Sequence, residues 1–263
     1  MRRRGVERMR RYEEAMEGAI PTSRIAGSGR VEIPGLGEIR VSGSGYISQE
    51  EIRIGGSGEL PGGLKIGALR AAGSLKVKGK LEIGEGHLSG SARIEGPLRA
   101  GELKAAGSLR VEGEAEGERM ELSGSSTING KVELKDSLTS EGSLKILGDL
   151  RAGNLIELKG GFDIGGDVST KIFRAEVRRE SRIGGEIKAE EVEIESRRGG
   201  RLRVEGIRGE SISLEGVICE DVAGGDIYIG EGCELGRVRY RGKIEIHPKA
   251  KLRSPPERMK QES

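Results

Sequence analysis

His87 and His247 are the only histidines of the chain, and Cys219 and Cys233 are its only cysteines. Acid–base, nucleophilic and metal chemistry must therefore draw on these four positions and on carboxylates. A general base needs a positioned partner, and none is identifiable beside His87 in Gly84-Glu85-Gly86-His87. A lone histidine in a Gly-rich corner reads as solvated. The two cysteines are 14 positions apart with no Cys-x-x-Cys, and His247 stands alone before Pro248, so no metal-ligand spacing is present. Gly27-Ser28-Gly29 lacks the Lys-Ser or Lys-Thr of a phosphate loop. Glu recurs on almost every predicted strand, so no carboxylate pair for glycoside cleavage stands out. Arg174, Arg178, Arg179 and Arg182, then Arg197, Arg198, Arg201 and Arg203, form basic clusters. Glu176, Glu180, Glu186, Glu190, Glu191, Glu193 and Glu195 interleave with them and no aromatic platform accompanies them, which argues against nucleic acid as a partner. The expectation is no catalytic residue, no cofactor, no metal and no enzymatic activity.

The elements that carry these residues follow from composition and spacing. Of 263 residues, 46 are Gly, none is Trp, and Tyr and Phe together number six. A compact globule of this length normally buries several large rings. Here the core must be built from Leu, Ile, Val and Ala, spread evenly along the chain, which suits a long core one side chain wide. Regular Leu and β-branched residues from Ile20 to Leu252, with few prolines, argue against disorder. The chain has no apolar run of membrane-span length and no apolar stretch behind its N-terminal arginines. Together with the low cysteine count this predicts a cytoplasmic, reducing location.

A repeat organises the chain. Ala68 to Gly79 reads ALRAAGSLKVKG and Glu102 to Gly113 reads ELKAAGSLRVEG, 34 positions later. A shorter unit, apolar-charged-apolar, recurs throughout, as in Ile39-Arg40-Val41, Leu75-Lys76-Val77, Leu109-Arg110-Val111 and Leu144-Lys145-Ile146. Such alternation marks a strand with one buried face, the charged middle residue pointing to solvent. Gly and Ser-Gly steps follow each triplet and read as sharp corners. Short strands with a corner every few residues describe a coil about an axis, and the long repeat fits two coils of about 17 residues with three faces each. The predicted fold is all-β, a single-stranded parallel β-helix solenoid over residues 20–253.

Two segments fall outside this pattern. Residues 1–19 form a basic leader, expected to be flexible, in which Arg2, Arg3, Arg4, Arg8, Arg10 and Arg11 stand against Glu7 within the first eleven residues. Removing those residues leaves 39 basic and 42 acidic groups, so the positive balance sits in the leader. These arginines are candidate contacts for an anionic membrane surface. Residues 254–263 begin Ser-Pro-Pro and are predicted to be a disordered tail. The end coils of a solenoid leave backbone groups open unless capped. No amphipathic cap is visible after Ile246, so the ends are predicted to stack on other copies of the chain. The candidate residues are Ile25, Val31 and Ile33 at one end and Val238, Tyr240, Ile244 and Ile246 at the other.

The run EIRVSGSGYI at Glu38 to Ile47 and RMELSGSSTINGKVEL at Arg119 to Leu134 resembles the bactofilins and related polymer-forming cytoskeletal proteins over Ile20 to Leu252. The resemblance implies a right-handed, three-sided β-helix that polymerises end to end without nucleotide, and in which an N-terminal segment can contact membrane. Phe162 and Phe173 lie within the chain and mark no polymerising last coil, so the family's assembly residues do not carry over. Ile83 to His87 and Ile227 to Cys233 locally resemble hexapeptide acyltransferases, which makes a β-helix enzyme with His87 as base the alternative. Their six-residue register is not sustained here.

Overall fold

The computed structural model describes residues 19–259, and none of them is helical. The leader arginines Arg2, Arg3, Arg4, Arg8, Arg10 and Arg11 lie outside the described residues. The chain is all-β, with parallel stacked coils forming a β-solenoid. It divides into two compact units, Met1–Gly113 and Glu114–Ser263.

The first unit contains β1 (Ser23–Ile33), β2 (Gly37–Ile47), β3 (Glu51–Pro61), β4 (Leu64–Lys78), β5 (Leu81–Ile94) and β6 (Leu98–Val111). From β3 onward the strands pair in parallel, each on the next, and the step is constant: Leu64 lies on Leu81 and Leu81 on Leu98. Each coil has three short sides, and each side sends two residues inward. In β4 these pairs are Leu64 and Ile66, Leu69 and Ala71, and Leu75 and Val77, all buried. The residues between them, Lys65, Arg70 and Lys76, face outward. The long sequence repeat is thus two coils, as the spacing predicts. Burying one Leu, Ile or Val side chain contributes about 1.5–3 kcal/mol, so a coil built without aromatics still gains stability from its six inward side chains.

Corners are set by glycine. Gly73 has φ +119 and Gly90 φ +107, in the region that L side chains rarely adopt. A Cβ on Gly90 would meet the Gly73 carbonyl oxygen at 2.3 Å, and one on Gly107 would meet that of Gly90 at 2.3 Å. Glycine therefore recurs once per coil, because the coils stack backbone on backbone at this corner.

The start of the unit differs from the prediction. The sequence pattern predicts coils over residues 20–47, but β1 and β2 form an antiparallel hairpin, and β2 is also antiparallel to β3. Ile25, Val31 and Ile33 therefore lie on a hairpin strand and not on a terminal coil. The cause is the turn Pro34-Gly35-Leu36-Gly37. Gly35 (φ 77) and Gly37 (φ 114) take left-handed conformations, and the Leu36 N–H donates to the Ile33 carbonyl at 3.1 Å. The chain reverses there and bends round the same corner as the coils, with Gly27 opposite Gly43 and Gly43 opposite Gly56.

The second unit opens with β7 (Ala115–Ile128), β8 (Val132–Ile146), β9 (Leu150–Ala152), β10 (Leu155–Ile164) and β11 (Val168–Ser169). It continues with β12 (Ile172–Val177), β13 (Ser181–Ile183), β14 (Glu186–Lys188), β15 (Glu191–Ser196) and β16 (Leu202–Leu214). It closes with β17 (Val217–Ile229), β18 (Glu234–Tyr240), β19 (Ile244–Ile246), β20 (Lys251–Leu252) and β21 (Glu257–Arg258). Its strands also stack in parallel, but the step varies. Ser181 lies on Leu202 and Leu202 on Val217, so a long coil is followed by a short one. The long coil absorbs its extra residues in a turn at 197–200, where Arg198 (φ 56) and Gly199 (φ 75) are left-handed and Gly200 N–H returns to the Arg197 carbonyl at 3.0 Å. Elsewhere aspartates tie one corner to the next: Asp149 Oδ1 accepts the Asp167 N–H at 3.0 Å, and Asp167 Oδ1 accepts the Glu186 N–H at 2.9 Å. Phe162 and Phe173 are buried core residues of this unit.

Residues 254–259, predicted as part of a disordered tail, belong to the last coil. Arg239 pairs with Glu257 and Tyr240 with Arg258, and Met259 N–H donates to the Tyr240 carbonyl at 2.8 Å. Ser254 Oγ donates to the Gly236 carbonyl at 3.3 Å. Prolines 255 and 256 form the link into this strand rather than ending the fold.

Outward charges pair from coil to coil, as in Lys65–Glu82 at 2.9 Å, Lys76–Glu95 at 3.1 Å and Arg93–Glu112 at 3.0 Å. Exposed pairs contribute little individually, but their pH signature is defined. Hydrogen bonds from Lys65 to Glu82, Lys78 to Glu59 and Arg208 to Glu186 hold these carboxyls below their ordinary 4.5. A depressed carboxyl stabilises the fold above its unfolded value and loses that contribution as pH falls through the folded value. The melting temperature is therefore expected to be flat down to about pH 5 and to decline below about pH 4.5. Thermal melts across pH check this.

Candidate functional site

The residues that could do chemistry are scattered. His87 is exposed on β5, and its cross-strand neighbours are Arg70 and Lys104. Neither neighbour is a carboxylate that could orient the imidazole as a base. His247 Nδ1 accepts the Lys249 N–H at 3.2 Å, which fixes it in the turn after β19. Cys219 and Cys233 are both buried. The Cys219 thiol donates to the Asp221 carbonyl at 3.4 Å, and burial pushes its pKa up to about 12. Burial likewise raises Cys233, whose thiol donates to the Leu214 carbonyl at 3.5 Å. Thiols in that state are poor nucleophiles. Among the described residues, no group of three His, Cys, Asp or Glu is placed to hold a metal ion. No helix among them is long and apolar enough to cross a membrane. The basic clusters at residues 174–182 and 197–203 are matched with acids, as in Arg174–Glu191 at 3.1 Å, Arg178–Glu176 at 2.8 Å and Arg197–Glu195 at 2.7 Å.

At the start of the first unit and the close of the second, strands have an edge that no described strand covers; the large apolar side chains Leu147 and Tyr228 are exposed elsewhere. At the close of the second unit, β19 pairs with β17, and β20 and β21 pair with β18; no described strand covers their other edge. The effect shows down the stacks. Ile229 is fully buried, whereas Ile246, stacked on it one coil later, is 42% exposed. Ile227 and Leu235 are buried, while Ile244 and Leu252 above them are only half-buried. Of the residues predicted for this end, Ile244 and Ile246 lie on the last coil. Val238 and Tyr240 lie one coil below it, Val238 buried and Tyr240 half-buried. Leu252 belongs to the same open surface and was missed; its signal was its place one coil length after Leu235.

At the start of the first unit, β2 is the one strand among the described residues that pairs with β1. This edge is more closed: Val31 and Ile33 are buried, Ile25 is half-buried, and the strand's exposed positions are Arg, Ala, Gly, Ser and Glu. Basic residues on an edge strand oppose edge-to-edge pairing. The two predicted assembly ends are thus unlike: one is a polar hairpin edge, the other an open apolar coil.

No family model, no curated protein and no solved structure matches this chain.

Proposed function

We propose that this chain is a non-enzymatic structural protein that assembles with copies of itself into a filament or scaffold in the cytoplasm without nucleotide, and that the last coil of its second unit is one of the contact surfaces of that assembly. The observation that carries this reading is the exposure of Ile246 on a coil whose outer edge no described strand covers. Another copy stacked there would cover Ile244, Ile246 and Leu252 and continue the backbone ladder. The bactofilin-like style of the repeat supports the same reading, and the basic leader would add contact with an anionic membrane surface, strengthened by repetition along an assembly.

Ile246→Asp tests it. The side chain already meets solvent, so the fold is expected to lose less than about 1 kcal/mol. Assembly, read by sedimentation and negative-stain imaging of purified protein, is expected to be lost because the carboxylate would be buried against the next copy. Equal pelleting of the variant and the parent protein would remove this surface from the account.

A further inference from the structure

A groove along the first unit has one wall of hydroxyls and one of cations. Ser28, Ser42, Ser57, Ser74, Ser91 and Ser108 occupy equivalent positions on the six strands β1 to β6, and all are exposed. Two positions from each serine on β3 to β6, and correspondingly on the hairpin, stands a second column: Arg30, Arg40, Glu59, Lys76, Arg93 and Arg110. Between the columns on β1 to β4 runs a groove of about 450 Å³, whose floor includes Gly29, Val41 and Gly58. Successive strands lie about 4.8 Å apart, so hydroxyls recur along one wall at that interval, and cations along the other except at Glu59.

Most acids of this face stand on the far side of the cations, and on the hairpin Glu38 pairs with Arg40 and lies 3.9 Å from Arg30. Glu95 and Glu112 pair with Lys76 (3.1 Å), Arg93 (3.0 Å to Glu112) and Arg110 (2.7 Å), drawing on the side of each cation away from the serines. Glu59, the one acid in the column, is engaged by Lys78 at 2.6 Å and Arg40 at 3.6 Å. The cationic side chains nevertheless stay open to solvent: Arg30 is 71% exposed and Arg93 52%. Guanidinium groups held by a carboxylate on one edge keep donors for a second anion.

We propose that this groove binds linear inorganic polyphosphate. A thin chain with charge on every unit meets Arg30, Arg40 and Lys76 on one wall, where Glu59 is held by Lys78 and Arg40, and serine hydroxyls on the other, and the floor offers it no bulky obstacle. Single-stranded nucleic acid needs aromatic surfaces for its bases. Tyr46, the tyrosine described in this unit, has Arg24 and Arg53 over its ring at 6.0 and 5.9 Å, so it is already engaged.

The test is binding of the full chain to sodium polyphosphate at low ionic strength, with inorganic monophosphate, single-stranded DNA and duplex DNA as parallel arms. Ser74→Trp fills the groove without changing charge. Arg40→Gln with Lys76→Gln removes cations and leaves the groove open, so the question stays answerable if the tryptophan variant misfolds. Lys145→Gln with Arg151→Gln removes the same charge from the second unit. Polyphosphate is expected to bind, and to bind about tenfold more weakly in each groove variant, while the second-unit variant keeps the parent affinity. Absence of polyphosphate binding would overturn the assignment. So would equal weakening by the second-unit variant, or DNA bound as tightly and lost in the same groove variants.

Discussion

Val77→Asp is expected to destabilise the first unit by about 4 kcal/mol or more, because it places a carboxylate where no polar partner exists. Val77 is fully buried, stacked between Leu60 on one side and Ile94 on the other. The buried polar residues among those described are serines: Ser48, Ser126, Ser140 and Ser181. The core therefore has no cation to receive the charge, and a narrow stack cannot turn the side chain away without breaking the ladder. Lys76→Asp, one position earlier, is the control. It faces solvent and gives up the 3.1 Å pair with Glu95, so the expected cost is under about 1 kcal/mol. Urea unfolding of both variants measures the difference. Similar midpoints would mean that alternation in this strand does not separate core from surface.

Gly90→Ala is expected to cost about 3 kcal/mol, from two sources that a second variant separates. Gly90 has φ +107, which a Cβ penalises, and that Cβ would lie 2.3 Å from the Gly73 carbonyl oxygen. Gly27 occupies the same corner on β1 with φ +93, yet a Cβ there would meet nothing within 4 Å. Gly27→Ala therefore carries only the backbone penalty, about 1–2 kcal/mol. The excess at Gly90 measures how closely the coils stack at the corner. Equal losses for the two would show that conformation alone, and not stacking, selects glycine.

These two sites show why much of the fold was readable in the sequence. Val77 and Gly90 belong to patterns, alternation and a once-per-coil recurrence, that arise because each coil repeats the same steric problem. Inward positions such as Ile39, Val41, Leu109, Val111, Leu144 and Ile146 are all buried, as their alternation predicts. The hairpin at residues 23–47 was not legible by that route, since Ile39-Arg40-Val41 alternates identically in an antiparallel strand and in a coil. Only the Pro-Gly-Leu-Gly turn carried the distinction. The last rung at 257–258 was hidden for a different reason. Ser254-Pro255-Pro256 reads as a break, yet Glu257 and Arg258 pair through their backbone and need no apolar signal.

The placement of the proposed assembly residues was legible in part for the same reasons. Ile244 and Ile246 follow from the final apolar-charged-apolar triplet, and the structure leaves them on an open coil. Ile25, Val31 and Ile33 come from a similar pattern, but the hairpin turns two of them inward. Their types gave no sign of this, because burial at a unit's end depends on what stacks beyond it and not on local periodicity. The leader arginines belong to no repeat, so spacing assigns them no partner.

Backbone amide hydrogen exchange, measured on dilute and on concentrated protein, tests the assembly surface most directly. No described strand covers the outer edge of β19 to β21, so their amides should exchange readily in dilute solution and become protected when another copy covers them. The account predicts that concentration-dependent protection concentrates in residues 244–258. Protection that leaves these residues unchanged, or that appears instead on the outward faces of the coils, would contradict it.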